Sequence, residues 1–235
     1  MAVRGFQPWA DELAALQTDN FEVHPEQCVR VRHRQARCTR CADFCPTGAI
    51  QIGTALKVVP LRCAQCGLCL AACPTGVFGP KRPGDADIMA GLERAAQRSE
   101  QVVFACSLLL RKHRRMRSHP GLVELDCLGR LHESLLVGAV AAGARDVVLS
   151  DGLCERCTYE VGRKLANDRV ATTRTLLDAL GMEAAVRFSE QALPGMPALQ
   201  DRGTERAAAS ATGPAGSWSR GQADGPRRCP RLCGI

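Results

Sequence analysis

The sequence has few aromatic residues and no long apolar run. Aromatic residues make up 4% of its 235 residues, with six Phe, two Trp and one Tyr. Stacking of bases on aromatic side chains is a main source of single-stranded nucleic-acid binding, so this scarcity argues against nucleic acid as a partner. The longest apolar runs, such as 135–143, fall far short of the roughly 20 residues that span a bilayer. We therefore expect a soluble protein with no membrane span.

The sequence also lacks the motifs of nucleotide-binding and catalytic sites. It contains no GxGxxG motif and no P-loop, and no nucleophile stands in a recognisable pattern with a base. We expect catalysis to reside in another subunit. The first 25 residues carry four acidic residues and no apolar stretch like that of a signal peptide, which predicts the cytoplasm.

Cysteine is unusually frequent, with 14 residues in the chain. Most of them fall in CxxC or CxxxC groupings, which suit metal sites better than cross-links in a cytoplasmic protein. The densest run holds Cys63, Cys66, Cys69 and Cys73, followed by Pro74. This CxxCxxCxxxCP pattern places three thiolates on one [4Fe-4S] cluster and sends the fourth to another cluster. A structural zinc site would leave the CP ending unexplained.

A second, incomplete copy of this motif lies upstream. Cys38, Cys41 and Cys45 repeat the spacing, and CPTGAI at 45–50 returns as CPTGVF at 73–78. Gln35 occupies the position of the expected first cysteine. Cys28 can replace it if residues 29–37 form a loop that returns to the cluster. The alternatives are a three-iron cluster without Cys28, or an external fourth ligand.

Residues 28–80 resemble the two-cluster bacterial-type ferredoxins. The resemblance implies an α+β ferredoxin-like module, two [4Fe-4S] clusters and one-electron transfer at low potential. It also implies crossed ligation, with Cys28, Cys38, Cys41 and Cys73 on one cluster and Cys45, Cys63, Cys66 and Cys69 on the other. Each cluster carries a charge of about −2 with its thiolates, so the clusters would cancel most of the formal charge of +7.

The second half of the chain alternates between strand and helix patterns. Strands are predicted at 102–105, 122–125, 146–149 and 184–188, and helices at 131–142 and 159–180. Such alternation is typical of an α/β domain with a short parallel sheet covered by helices. Shorter predictions are a hairpin of strands at 49–52 and 56–59, and a helix at 85–99.

Four further cysteines follow the predicted strands. Cys106 follows the first strand, Cys127 the second, and Cys154 with Cys157 the third. Since the carboxyl ends of parallel strands meet at one edge, these four thiols should converge there and hold a [2Fe-2S] or [4Fe-4S] cluster or a zinc ion, of which we favour an iron-sulfur cluster. In the competing interpretation Cys106 and Cys127 are core residues, and Cys154 with Cys157 form a redox dithiol.

The segments FACSL, DCLGRL and CxxCTYEVGR, within 102–163, resemble the small iron-sulfur delta subunit of methyl-viologen-reducing hydrogenases. Leu108–Leu110 stand where that family usually has a second cysteine, and its last cysteine pair is more widely spaced than Cys154 and Cys157. The resemblance implies a relay of electrons between a catalytic subunit and a flavin-containing partner.

The predicted organisation has four parts: a docking segment at 1–27, a two-cluster ferredoxin domain at 28–83, a delta-subunit-like domain at 84–190, and a disordered tail at 191–235. Cys229 and Cys233 fall in the tail and are expected not to bind metal. The predicted function is electron transfer within a hydrogenase, heterodisulfide reductase or molybdenum-enzyme type of complex. The alternatives are a thiol-disulfide reductase that uses Cys154 and Cys157, and an assembly protein with structural clusters.

Overall fold

The structure is a computed structural model that describes residues 21–81, 83–152 and 154–189. Predictions for the first 20 residues and for 190–235, including those for Cys229 and Cys233, lie outside these residues. None of the helices in the described part of the chain is both long and apolar enough to cross a membrane. We call residues 21–81 the cysteine module and residues 84–189 the α/β domain.

The cysteine module contains two small antiparallel sheets and three short helices. Strand β1 (Phe21–Val23) pairs with β4 (Phe78–Pro80), and β2 (Ile50–Ile52) pairs with β3 (Leu56–Val58). The helices are α1 (Val29–Arg32), α2 (Arg40–Asp43) and α3 (Leu68–Ala72). The β2–β3 hairpin confirms the prediction from sequence. The pairing of β1 with β4 was not predicted.

The module is built from two copies of one unit, and the duplication extends beyond the cysteine motif. Each copy runs from a strand through a 3₁₀ turn, a cysteine and a short helix to a CPTG segment and a second strand. The 3₁₀ turns are Pro25–Gln27 and Pro60–Arg62. Every strand pairs with a strand of the other copy, because β1 pairs with β4 and β2 with β3. The rings of Phe21 and Phe78 join the outer pair edge to face, with centroids 5.9 Å apart.

The α/β domain has the predicted order of elements. Its strands are β5 (Gln101–Cys106), β6 (Leu122–Leu125), β7 (Asp146–Ser150) and β8 (Ala185–Ser189). They form one parallel sheet in the order β6-β5-β7-β8. The helices are α4 (Asp85–Arg98), α5 (Ser107–Lys112), α6 (Glu133–Ala141) and α7 (Val161–Ala179).

Side chains on both faces of this sheet are buried. Val102 and Phe104 point into a core shared with α4, α6 and α7, whereas Val103 and Ala105 face α5. A parallel strand covered on both faces needs a continuous apolar run rather than alternation, which explains the pattern of this segment. Helices cover both faces of the sheet. The carboxyl ends of the strands, after which the cysteines follow, form its open edge.

The two modules are in contact through α3. Ala71 and Ala72 of this helix pack with Leu165 of α7 and with Phe44 in a small apolar cluster. Arg169 of α7 donates from Nη2 to the carbonyl of Ala71 at 2.8 Å. These contacts attach the cysteine module to the α/β domain through the last residues of α3, the helix that contains Cys69 and follows Cys66.

Candidate metal centres

The first group of thiols comprises Cys28, Cys38, Cys41 and Cys73, and its members interact electrostatically. Burial raises the pKa of the Cys41 thiol to about 12, and the negative charges of Cys73, Cys28 and Cys38 raise it in the same direction. Because such interactions weaken with distance, Cys28 lies within the neighbourhood of the other three. Cys28 and Cys41 belong to one buried cluster, against which Cys73 packs, and the role of Cys28 as a ligand stays a prediction.

Cys28 also has the same local backbone as Cys63. Each cysteine ends a 3₁₀ turn, and its N–H donates to the carbonyl of a proline, Pro25 or Pro60, at 3.0 Å. Their φ and ψ angles are −69° and 119° for Cys28, and −73° and 117° for Cys63. The sequence held a signal for this equivalence, since a proline stands three residues before each cysteine. The spacing of the second copy, applied to the first, leads from Cys38 back to the exposed Gln35 and so away from Cys28.

The second group comprises Cys45, Cys63, Cys66 and Cys69. Burial raises the pKa of the Cys66 thiol to about 11, with further contributions from the charges of Cys45 and Cys63. Burial likewise raises the pKa of Cys69, as do the charges of Cys66, Cys63 and Cys45 and, last, that of Cys41. Since Cys41 belongs to the first group, the two groups are neighbours.

Local backbone geometry turns amide groups toward the sulfurs. The N–H of Ala49 donates to Cys45 Sγ at 3.3 Å, and that of Gln65 donates to Cys63 Sγ at 3.4 Å. Gln65 and Gly67 have positive φ angles of 54° and 76°, so the chain curls around the second group. Amide donors of this kind stabilise negative charge on cluster sulfurs and help to set the reduction potential.

The third group comprises Cys106, Cys127, Cys154 and Cys157, which the structure brings to the carboxyl edge of the sheet. Burial raises the pKa of the Cys127 thiol to about 12, and the charges of Cys66, Cys106 and Cys157 add to the increase. Burial also raises the pKa of Cys154, and the charges of Asp151, Cys106 and Cys127 act in the same direction. Three strands thus deliver these thiols to one neighbourhood, close enough for their charges to interact.

The third group shares the backbone features of the other two and lies beside a cavity. The N–H of Leu109 donates to Cys106 Sγ and that of Tyr159 to Cys157 Sγ, both at 3.4 Å. A cavity of about 600 Å³ opens next to Cys154, between the turn after β7 and the first turns of α7. Arg163, which lines it, donates from Nε to the buried carboxylate of Asp151 at 2.6 Å. The third group is therefore accessible from outside the protein.

The donor chemistry fits iron-sulfur clusters. All twelve cysteines in the described residues are free thiols. Four thiolates with inward-pointing amides are what a [4Fe-4S] cluster requires. Within the same residues, no group of three or more Cys, His, Asp or Glu side chains is arranged to hold a single metal ion.

Comparison with known families gives two matches, in the order that the sequence indicated. Residues 36–77 match the 4Fe-4S dicluster domain, and residues 98–207 match the methyl-viologen-reducing hydrogenase delta subunit. Both resemblances are thereby confirmed. The first match begins after Cys28 and does not cover it. A search of curated proteins and a search of solved structures each returned no match.

Proposed function

We propose that this protein is an iron-sulfur electron-transfer subunit that relays electrons between a catalytic oxidoreductase subunit and a second redox protein. The proposal depends on one observation above all: three groups of four thiols lie in neighbouring positions within one folded unit. The two family matches support the same class of function, because one is an iron-sulfur domain and the other resembles a hydrogenase subunit.

In this proposal the first and second groups each hold one [4Fe-4S] cluster. The copies exchange their last cysteines, so that Cys73 completes the first group and Cys45 the second. The clusters supply one-electron oxidation and reduction. The protein supplies the thiolates, restricts water by burying Cys28, Cys41 and Cys69, and orients amides at the sulfurs.

The third group holds a further iron-sulfur cluster, of the [2Fe-2S] or [4Fe-4S] type. Its support is the approach of Cys106, Cys127, Cys154 and Cys157 to one another at the open edge of the sheet. The cavity beside Cys154 gives a partner access to this cluster. A hydrogenase, heterodisulfide reductase or molybdenum enzyme, with a flavoprotein, is the proposed setting, and the cytoplasmic location stays a prediction.

The competing thiol-disulfide reductase has weaker support. A reactive dithiol needs a cysteine whose pKa is lowered, so that its thiolate forms readily. At Cys154, burial and then the adjacent carboxylate of Asp151 raise the pKa instead. The four thiols of the third group also favour a ligand set over an isolated pair.

Metal analysis of the full chain after anaerobic reconstitution tests the proposal. We expect about ten to twelve irons per chain, depending on the type of the third cluster, and reversible reduction in a titration followed by electron paramagnetic resonance (EPR). Cys127→Ser should remove the iron of the third cluster alone, whereas Cys229→Ser serves as a control and should remove none. Clusters that cannot be reduced reversibly would refute electron transfer and favour the structural role.

A further inference from the structure

The contact between the two modules brings the second and third thiol groups together. The loop that carries Cys66 packs on the 3₁₀ turn Leu128–Arg130, which follows Cys127. A methyl group on Gly67 would lie 2.6 Å from Cδ of Arg130, so this side chain passes directly over the loop. The negative charge of Cys66 also reaches Cys127 across the junction.

Gly162, in the first turn of α7, lies at the centre of this junction. A methyl group at this position would be 2.8 Å from Cys127 Sγ and 3.3 Å from Cδ2 of Leu68. Leu68 is fully buried and lies two residues after Cys66. A contact of 2.8 Å is shorter than real Cβ atoms sustain, so the glycine lets α7 approach Cys127 of the third group while it packs on Leu68 beside the second.

Two arginines lie at the junction: Arg169 bonds across it, and Arg130, held by an ion pair within the α/β domain, lies against Gly67. The buried side chain of Arg130 pairs with Asp85 at the start of α4, and His132 Nε2 lies 3.2 Å from the same carboxylate. Arg169 joins the carbonyl of Ala71 to the Oε1 atom of Glu133, which it contacts at 2.6 Å. The junction is therefore held at several points rather than by a flexible tether.

The positions of the three thiol groups also define their order. Cys41 of the first group and Cys69 of the second belong to one buried cluster. Leu68, next to Cys69, approaches Gly162 where Gly162 approaches Cys127 of the third group. Farther along α7, Leu165 packs on Ala71 and Ala72 at the other end of α3, which leads to Cys73 of the first group. The second group thus lies between the other two.

We propose that electrons pass between the first and third groups through the second. In this proposal they cross between the modules where Leu68, which lies between Cys66 and Cys69, approaches Cys127, and Gly162 is the positioning residue that keeps this approach close. In each step one cluster loses one electron and its neighbour gains it, with no bond made or broken and no proton moved. This inference assumes the proposed function and adds the order of the centres and the crossing point.

The order is tested by EPR of the fully reduced, reconstituted full chain, in which neighbouring paramagnetic clusters split each other's signals. In Cys38→Ser, which lacks a first-group ligand, we expect the splitting between the second and third clusters to persist. In Cys66→Ser, which lacks a second-group ligand, we expect the first and third clusters to give unsplit signals. Mutual splitting of the first and third clusters in Cys66→Ser would overturn the order.

The role of Gly162 is tested by Gly162→Ala, with Gly91→Ala as the matched control. Gly91 also lies in a helix, but a methyl group there would meet only Arg94, at 3.9 Å. We expect Gly162→Ala to keep wild-type iron content and weaken the splitting between the second and third clusters, whereas Gly91→Ala resembles the wild type in both. Unchanged splitting, or loss of third-group iron, in Gly162→Ala would overturn the positioning role.

Failure of this inference differs from failure of the proposed function. If the wild-type protein has reducible clusters but no splitting between the second and third, only the crossing point is wrong. If no cluster can be reduced reversibly, electron transfer itself is wrong. If the iron content accounts for the first two clusters alone, the inference is wrong, but the chain can still carry electrons.

Discussion

The ion pair between Asp85 and Arg130 gives the most quantitative prediction. The Arg130 side chain is 8% exposed and that of Asp85 is 46% exposed, so the pair lies between the buried and the surface cases. Removing one partner costs about 3–5 kcal/mol for a buried pair, and an exposed pair contributes about 0.2–1 kcal/mol. We expect Asp85→Asn to lower the free energy of unfolding by about 1–3 kcal/mol, because the charge of Arg130 then stays buried without its partner.

Thermal unfolding of the reconstituted protein, followed anaerobically by circular dichroism, measures this effect. For a chain of this size, 1 kcal/mol corresponds to about 2–4 °C, so the midpoint should fall by about 2–12 °C. Glu100→Gln is the control, since Glu100 and Arg145 are 3.8 Å apart and both largely exposed. A shift in Asp85→Asn no larger than that of the control would refute the argument from burial.

The same pair predicts a pH dependence. Burial raises the pKa of Asp85, but the hydrogen bond and charge of Arg130 outweigh burial and hold it below its ordinary value of 3.8. A lowered pKa stabilises the folded state above the ordinary value, and this contribution is lost as the pH falls through the folded pKa. The difference in midpoint between wild type and Asp85→Asn should therefore be the same at pH 7 and pH 9. A difference that grows or vanishes across this range would contradict the assignment.

Two further predictions concern ligation and packing. Cys28→Ala should reduce the iron content by about four atoms per chain, and adding Gln35→Cys should not restore it because Gln35 is exposed; restored iron would show that position 35 reaches the cluster. Leu165→Ala should destabilise the protein by about 2–5 kcal/mol in thermal unfolding, since Leu165 is buried between the modules. Leu176→Ala, on the exposed side of the same helix, is the control and should change the stability by less than about 0.5 kcal/mol.

The sequence predicted the α/β domain well for a physical reason. Its strands are buried on both faces, so they appear as unbroken apolar runs such as Val102–Ala105, and helices with one apolar side separate them. Two helix limits differ slightly from the prediction. Helix α6 begins at Glu133 rather than at 131, and α7 ends at Ala179 rather than at 180. The placement of Cys127 and Cys154 at one edge of the sheet was expected because the carboxyl ends of parallel strands meet there, and their shared ligand role stays a prediction.

The features that escaped prediction depend on contacts distant in sequence. Strands β1 and β4 have three residues each, which is too few to show a period, and they pair across most of the cysteine module. The junction at Gly162 could not be predicted because a glycine near a helix start has no local mark of what packs against it. The ligand role of Cys28 stays a prediction, although its backbone matches that of Cys63.

The exchange of strands between the two copies has a consequence for synthesis. Neither copy can form a sheet alone, because β1 must wait for β4, which is complete 57 residues later at Pro80. At about 5–20 residues per second, a ribosome needs roughly 3–11 s to make this stretch. During that interval the nascent chain presents unpaired strands and reduced thiols in solution. In the proposed ligation, the first cluster likewise cannot gain its fourth thiolate until Cys73 has been made.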